Sequence, residues 1–167
     1  GVAMTCHALG GHRRDEGLRM HRDVYHRSLN LFGEENRHTL IEANNYAATL
    51  RDQQHFEEAR SVLRRMMPVA QRVNGTCHLT LAMKKIYAEA LYLDGAATLD
   101  DLREAVTTLE ETERTARRVL GGAHPLTKMI EHDLQDAQAA LRAREGDVDP
   151  IREAVEAMTA GDAQDDP

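Results

Sequence analysis

The fold is decided by residues 33–75, which read GEENRHTLIEANNYAATLRDQQHFEEARSVLRRMMPVAQRVNG. In the second half of this stretch, apolar or small residues recur at spacings of three and four, as in an amphipathic helix that buries one face. This ladder consists of Phe56, Ala59, Leu63, Met66, Ala70 and Val73, and it returns 46 residues later as Leu102, Ala105, Leu109, Thr112, Ala116 and Val119. A helix pair that repeats along the chain predicts an architecture of stacked helices.

Composition favours an all-α fold in one domain. The chain has 167 residues, 41% of them apolar, but only 4% aromatic and none of them tryptophan. Such a core must be built from Leu, Ala, Val and Met, which suits close packing of helices. Strand-forming residues rarely alternate with polar ones, so the sequence supports neither a β-sandwich nor a βαβ fold.

Charge and hydropathy limit the kinds of partner. Residues 1–83 carry 11 basic and 9 acidic side chains, whereas residues 84–167 carry 10 and 19. The acidic second half argues against a nucleic-acid partner, because that binding depends on Lys and Arg. The chain has no run of about 18 apolar residues, so we predict a cytoplasmic protein with no membrane partner. The first residue is not methionine, and we expect further repeats before it.

Predicted turns and helix ends divide the chain into units. We predict a degenerate repeat over residues 1–32 with a turn at Gly10-Gly11, full repeats over 33–74 and 75–120, a capping helix over 121–145, and an acidic, mostly disordered tail over 146–167. Capping boxes are predicted at Thr39 with Glu42 and at Thr98 with Asp101. Pro68 should bend its helix without breaking it, and Gly146 should end the last helix.

The turn sequences carry a family resemblance. LFGEENRHTL, VNGTCHLTL and VLGGAHPLTK resemble the turns that join tetratricopeptide (TPR) repeats of the kinesin light chain type. Asn44-Asn45-Tyr46-Ala47 is similar to a string in the first helix of that repeat, and Phe56-Glu57-Glu58-Ala59 to the opening of its second helix. The resemblance implies an α-α superhelix of antiparallel helix pairs, about three repeats and a capping helix, with a concave groove that binds a peptide or partner protein.

Helix geometry selects the residues that would line this groove. If Tyr46, Ala47 and Leu50 face the partner helix, positions about a quarter turn away share another face. The candidate peptide-binding residues are Ile41, Asn44, Asn45, Ala48 and Asp52 in the first full repeat, Lys85, Ile86 and Glu89 in the second, and His132, Asp133 and Asp136 in the last helix. An asparagine amide can both donate to and accept from an extended peptide backbone. We predict that Lys85 attracts acidic ligand groups, so that reversing its charge changes partner preference more than stability.

Other interpretations of the chain remain open. The same face is also what a solvated helix without a ligand would show, and the chain could be a passive spacer in a larger repeat protein. A helical metalloprotein or enzyme is a third hypothesis, but the histidines lack the spacings of metal ligands, and neither serine lies in a nucleophile elbow. We therefore expect no catalytic residue, metal or cofactor. Cys6 and Cys77 should remain reduced and unbridged.

Overall fold

The structure is a computed structural model that describes the backbone of residues 2–161 and the side chains of residues 14–146. Across residues 2–161 it has six α-helices and no strand. The helices are α1 (Val2–Phe32), α2 (Arg37–Asp52), α3 (Phe56–Asn74), α4 (His78–Tyr92), α5 (Leu99–Leu120) and α6 (Pro125–Gly161). The predicted all-α fold is confirmed. None of the helices in the described part of the chain is long and apolar enough to cross a membrane.

Each helix packs against the next along the chain, and links of three to six residues make neighbouring helices antiparallel. In addition, α2 contacts α4, and α4 contacts α6. We call α2, α4 and α6 the A helices and α1, α3 and α5 the B helices. Helix α4 lies at the centre, in contact with α2, α3, α5 and α6. Its residues from Lys85 to Leu91 are all buried as a result.

The predicted ladders form the core. Ala59, Leu63, Met66 and Ala70 of α3 are fully buried, and so are Ala105, Leu109 and Ala116 of α5, while Val73 and Val119 in the last turns are exposed. The core also takes a fully buried alanine from each of several other positions, among them Ala43, Ala47, Ala88, Ala90 and Ala137. These small side chains let helix backbones approach each other closely, which compensates for the scarcity of aromatic residues.

Glycine ends every B helix at an equivalent place. Gly33, Gly75 and Gly121 directly follow the last residues of α1, α3 and α5, and their φ angles are 79°, 60° and 87°. L-residues with a Cβ rarely adopt this left-handed region, so glycine is the residue that permits the turn. The shared geometry fixes the register between the B helices.

Two predicted boundaries are wrong. Helix α1 passes through Gly10-Gly11 without a turn, since glycine lowers helix propensity but does not forbid helical angles. Helix α6 passes through Gly146 to Gly161, because Gly146 does not take the left-handed conformation seen at the ends of the B helices. The three residues before Gly146 are Ala143, Arg144 and Glu145, which are strong helix formers. Residues 146–161 are therefore helical, and the disorder predicted for residues 162–167 lies outside the described residues.

The start of α2 also differs from the prediction. Asn36, not Thr39, is the N-cap, and its side chain accepts a hydrogen bond from the amide of His38 at 2.8 Å. Thr39 is buried, and its hydroxyl donates to the carbonyl of Ser28 in α1 at 3.1 Å. The hydroxyl therefore joins two helices and is not available as a cap. The predicted Thr39–Glu42 capping box is wrong.

Two other local predictions hold. The Thr98–Asp101 capping box is present at the start of α5, with both reciprocal hydrogen bonds. Helix α3 continues through Pro68 without a break, while the bend expected there stays a prediction. Cys77 is a free, half-buried thiol, whereas the side chain of Cys6 lies outside the described residues, so the expected absence of a bridge between them stays a prediction.

We expect Thr98→Ala to lower the free energy of unfolding by about 1 kcal/mol, because α5 loses its N-cap. Urea denaturation at pH 7 measures the change. The matched control is Thr107→Ala, which makes the same replacement at an exposed position in the middle of α5 and should be neutral or slightly stabilising. Equal losses in the two variants would contradict a capping role.

The cap should also respond to pH. The hydrogen bond from the Thr98 side chain, together with that from the Thr98 amide, lowers the pKa of Asp101 below its ordinary value of 3.8. A carboxyl group whose pKa is depressed by folding stabilises the fold above its unfolded pKa, and this contribution is lost as pH falls through the native pKa. The difference in stability between wild type and Thr98→Ala should therefore shrink as pH falls from 7 toward 3.

Candidate binding surface

The A helices form a continuous layer. Helix α2 contacts α4 and α4 contacts α6, whereas among the described residues no Cα atoms of α1 and α3, or of α3 and α5, lie within 8 Å of each other. Helix α3 reaches α5 with a side chain, from Arg60 to Asp101 at 3.4 Å. All candidate peptide-binding residues lie on these three A helices. The layer brings them to one side of the molecule, but at very different depths.

On α2 the candidate residues are accessible. Ile41, Asn45 and Ala48 are half-buried and Asp52 is exposed. Asn44 is half-buried as well, and its Oδ1 atom lies below the surface without a hydrogen-bond partner among the residues that the structure describes. This part of the predicted face can therefore meet a ligand.

On α4 the candidate residues are buried within the layer of A helices. Only 5% of Lys85 and 7% of Glu89 are exposed, and Ile86 is buried beside them. The prediction that Lys85 presents its charge to a ligand is wrong at this point, because α2 and α6 cover its side chain from both sides. The sequence pattern gave the correct face of α4 but could not show how closely the neighbouring A helices approach it.

On α6 the candidate residues differ in their exposure to solvent. Asp133 is buried, whereas His132 and Asp136 are exposed and lie 3.6 Å apart, from His132 Nε2 to Asp136 Oδ2. Asp133 faces α4, where the hydroxyl of Tyr92 donates to its Oδ1 atom at 3.3 Å. His132 and Asp136 remain available at the outer edge of the layer.

A chain of ion pairs joins the three A helices through these buried groups. Lys85 Nζ donates to Glu89 at 2.6 Å and lies 3.0 Å from Asp133 Oδ2. Glu89 in turn accepts from Arg51 of α2. We call Arg51, Lys85, Glu89, Tyr92 and Asp133 the charge chain. Its two cations and two anions alternate in space, so the formal charges cancel within the layer.

The environment of the charge chain shifts the pKa values of its two end members. Burial raises the pKa of Tyr92, and the neighbouring carboxylates of Asp133 and Glu89 raise it further, so its hydroxyl remains a donor at neutral pH. Burial acts to lower the pKa of Arg51, but Glu89 and Asp52 outweigh it and raise the pKa. Both groups therefore keep the protonation state that the chain requires.

Arg51 and Tyr92 were not among the predicted residues, although they hold equivalent positions in α2 and α4. Each reaches from the last turn of its helix to a carboxylate on the next A helix. One signal was present in the sequence, since Lys85 and Glu89 are four residues apart and can pair along a helix. The pairs between helices depend on tertiary distances that the sequence pattern does not contain.

Tyrosine hydroxyls of the A helices make a second set of polar contacts, with side chains of the B helices. Tyr87 of α4 donates to Glu104 at 2.6 Å and accepts from Arg64 Nε at 2.9 Å. The equivalent Tyr46 of α2 donates to Glu58. The first group lines a cleft of about 490 Å³ between α3 and α5, together with the side chains of Met67, Pro68, Gln71, Lys84, Thr108 and Glu111. Arg64 therefore contributes to the cleft and joins α3 to α4 through Tyr87.

Comparisons with protein-family models, curated proteins and solved structures found no match for this sequence. The TPR resemblance stays a prediction from the turn sequences. Among the residues that the structure describes, no group of three or more His, Cys, Asp or Glu side chains could hold a metal ion.

Lys85→Met should lower the free energy of unfolding by roughly 3–5 kcal/mol, because it leaves Asp133 buried without its cation. The double variant Lys85→Met/Asp133→Asn should be less destabilised than the sum of the two single variants, since it removes both members of the pair. Denaturant unfolding of the four proteins in this cycle measures the coupling between the two side chains.

The control for this cycle is Lys128→Met, which removes an exposed lysine that pairs with Glu131 on the surface of α6 at 2.9 Å. An exposed pair contributes about 0–1 kcal/mol. If Lys85→Met costs no more than Lys128→Met, the charge chain does not stabilise the layer.

Proposed function

We propose that this chain is a protein-interaction module that binds an extended peptide segment of a partner on the surface of its A helices. The observation that carries the proposal is the accessible amide face of α2, where Asn45 is half-exposed and Asn44 has a buried oxygen atom without a partner. The Asn45 amide can donate to and accept from a peptide backbone. The Asn44 oxygen atom would join such a contact once its side chain turns outward, and unsatisfied buried polar atoms are costly in a protein.

The packing of the layers supports a concave shape at this surface. When two layers of helices curve together, the helices on the inside of the curve come closer than those on the outside. In the described part of the chain the backbones of neighbouring A helices lie within 8 Å of each other, whereas those of neighbouring B helices do not. This difference favours a superhelix of the TPR type with the A helices inside, and stacked repeats use such concave surfaces for recognition.

The charge chain indicates what kind of ligand suits the surface. Lys85 and Arg51 already pair with Glu89 and Asp133, so the centre of the layer offers no free cation to an acidic ligand. The exposed carboxylates of the candidate face are Asp52 on α2, which pairs with Arg51 at 2.8 Å, and Asp136 on α6. We infer a ligand with free backbone groups over Asn44 and Asn45 and a basic side chain near Asp136.

The alternative hypothesis is a passive spacer in a larger repeat protein, in which the same face is only solvated. It predicts that no peptide binds the A helices saturably. A non-enzymatic role is part of both hypotheses, and neither requires a cofactor.

A random peptide library displayed on phage, selected against the full chain, tests the proposal. Asn45→Ala should weaken binding of the selected peptides by about 5- to 30-fold, which corresponds to the loss of about 1–2 kcal/mol from a buried hydrogen bond. Fluorescence anisotropy with the labelled peptides measures the affinity. The control Asn30→Ala changes an exposed asparagine on the B helix α1 and should leave affinity unchanged. Failure to select any peptide, or equal effects of the two variants, would favour the spacer hypothesis.

Asp136→Lys should alter which peptides are selected. The substitution reverses the exposed charge near the end of the candidate face, so a preference for basic residues at one end of the peptide should become a preference for acidic ones. The binding should also respond to salt in the wild type and less so in Asp136→Asn, which removes the charge. A peptide preference that ignores both substitutions would place the ligand elsewhere.

A further inference from the structure

The first B helix has an exposed apolar stripe that the other B helices do not have. Because all three B helices end one residue before a left-handed glycine, their residues can be matched one by one. Met20, Val24 and Leu31 of α1 match Val62, Met66 and Val73 of α3 and Thr108, Thr112 and Val119 of α5. We call Gly17, Met20, Val24 and Leu31 the α1 stripe.

Exposure separates the first two matched positions, whereas at the third position Leu31, Val73 and Val119 are all exposed, by 75%, 41% and 46%. Val24 is 40% exposed, whereas Met66 and Thr112 are 0% and 1% exposed. Met20 is 63% exposed, while Val62 and Thr108 are half-buried. The difference therefore lies in what covers this face, not in the position along the helix.

In the later repeats the preceding A helix covers the face. Met66 lies about 200° around α3 from Arg64, which donates to Tyr87 of α4. Helix α3 packs against α2 and α4, and its contact with α5, from Arg60 to Asp101, lies on the Arg64 side of the helix, so Met66 faces α2. Helix α1 instead contacts α2 with an adjacent face, about 100° around the helix from Val24, where Tyr25 stacks on Tyr46 with ring centroids 5.8 Å apart. The α1 stripe has no such cover among the described residues.

We propose that a second copy of this chain covers the α1 stripe through an antiparallel, two-fold pairing of the two α1 helices. Gly17 and Leu31 each lie seven residues from Val24. A two-fold axis at Val24 therefore places Leu31 of each copy over Gly17 of the other. A Cβ atom at Gly17 would meet no atom within 4 Å, so this position forms an open notch that a leucine can fill. Two-fold interfaces use one self-complementary patch on both copies, as this pairing does.

Charges beside the stripe fit the same pairing. Asp23 and Arg27 lie on the same flank of the α1 stripe, one helical turn apart, and both are exposed. In an antiparallel helix pair, equivalent flanks of the two helices meet. Arg27 of each copy then lies within one turn of the partner's Asp23, and the two contacts are identical by symmetry. Opposite charges at such positions favour this orientation over a parallel one.

Among the described side chains, which end at residue 146, the other end of the stack does not offer a competing apolar surface. The hydroxyls of Thr80 and Thr127 make the same hydrogen bond, to the carbonyls of Gly75 and Gly121 at 2.9 Å, and this fixes the register of α4 with α6. Three buried apolar residues of α4, Leu81, Ala88 and Leu91, correspond to Lys128, Gln135 and Gln138 of α6. This polar face disfavours head-to-tail association of the α1 stripe with α6.

Sedimentation velocity of the full chain over a range of concentrations tests the pairing. We expect a reversible dimer with a dissociation constant of roughly micromolar magnitude, because one helix face per copy is less than the about 800 Å² per partner of a standard interface. Val24→Asp should weaken the dimer at least tenfold. The control Met129→Asp introduces the same charge at an exposed methionine of α6 and should leave the dimer intact.

Gly17→Leu tests the register of the pairing. It fills the notch without a clash inside its own chain and favours the helix, so it should weaken the dimer while leaving the melting temperature of the monomer unchanged or higher. A chain that stays monomeric at several hundred micromolar would overturn the proposal. So would a dimer that survives Val24→Asp, one that Met129→Asp disrupts, or one that Gly17→Leu strengthens.

Discussion

The structure depends on how Lys85 is buried at the centre of the molecule. Helix α4 contacts four other helices, and a cation inside such a site must be paired. Glu89 on the same helix and Asp133 on α6 supply that pairing, and Arg51 balances Glu89 from α2. These linked ion pairs therefore fix the spacing of the three A helices. The alanine-rich core around them only requires that the helices lie close together.

Much of the fold could be predicted from residues whose effect is local. The ladders of α3 and α5 follow from helical periodicity, and the glycines that end the B helices have φ angles that few other residues adopt. The turns predicted at Gly10-Gly11 and at Gly146 are wrong, although the turn at Gly75 is correct. Glycine permits a turn but does not require one. Thr39 shows a second limit, because its hydroxyl could serve either as a cap or as a donor to another helix, and only packing decides.

The candidate site shows where local reasoning stops. Periodicity selected faces of α2, α4 and α6 that lie together in one layer, but it treated Asn45, Lys85 and Asp133 as equally exposed. Their depth depends on how many neighbours each helix has, and α4 has neighbours on both sides while α2 does not. Arg51 and Tyr92 were missed because they sit beside the chosen face and act across a gap between helices.

The two junctions between A helices use different chemistry, which makes the repeats non-interchangeable. Arg51 joins α2 to α4 through a carboxylate, whereas a tyrosine hydroxyl and a lysine join α4 to α6. If α6 followed α2 directly, Asp133 would meet Asn44 in place of Lys85 and Arg51 in place of Tyr92. The contact surfaces of the repeats are therefore specific to their order. A shuffled or deleted repeat would change the pairing between neighbouring A helices even though every helix kept its own pattern.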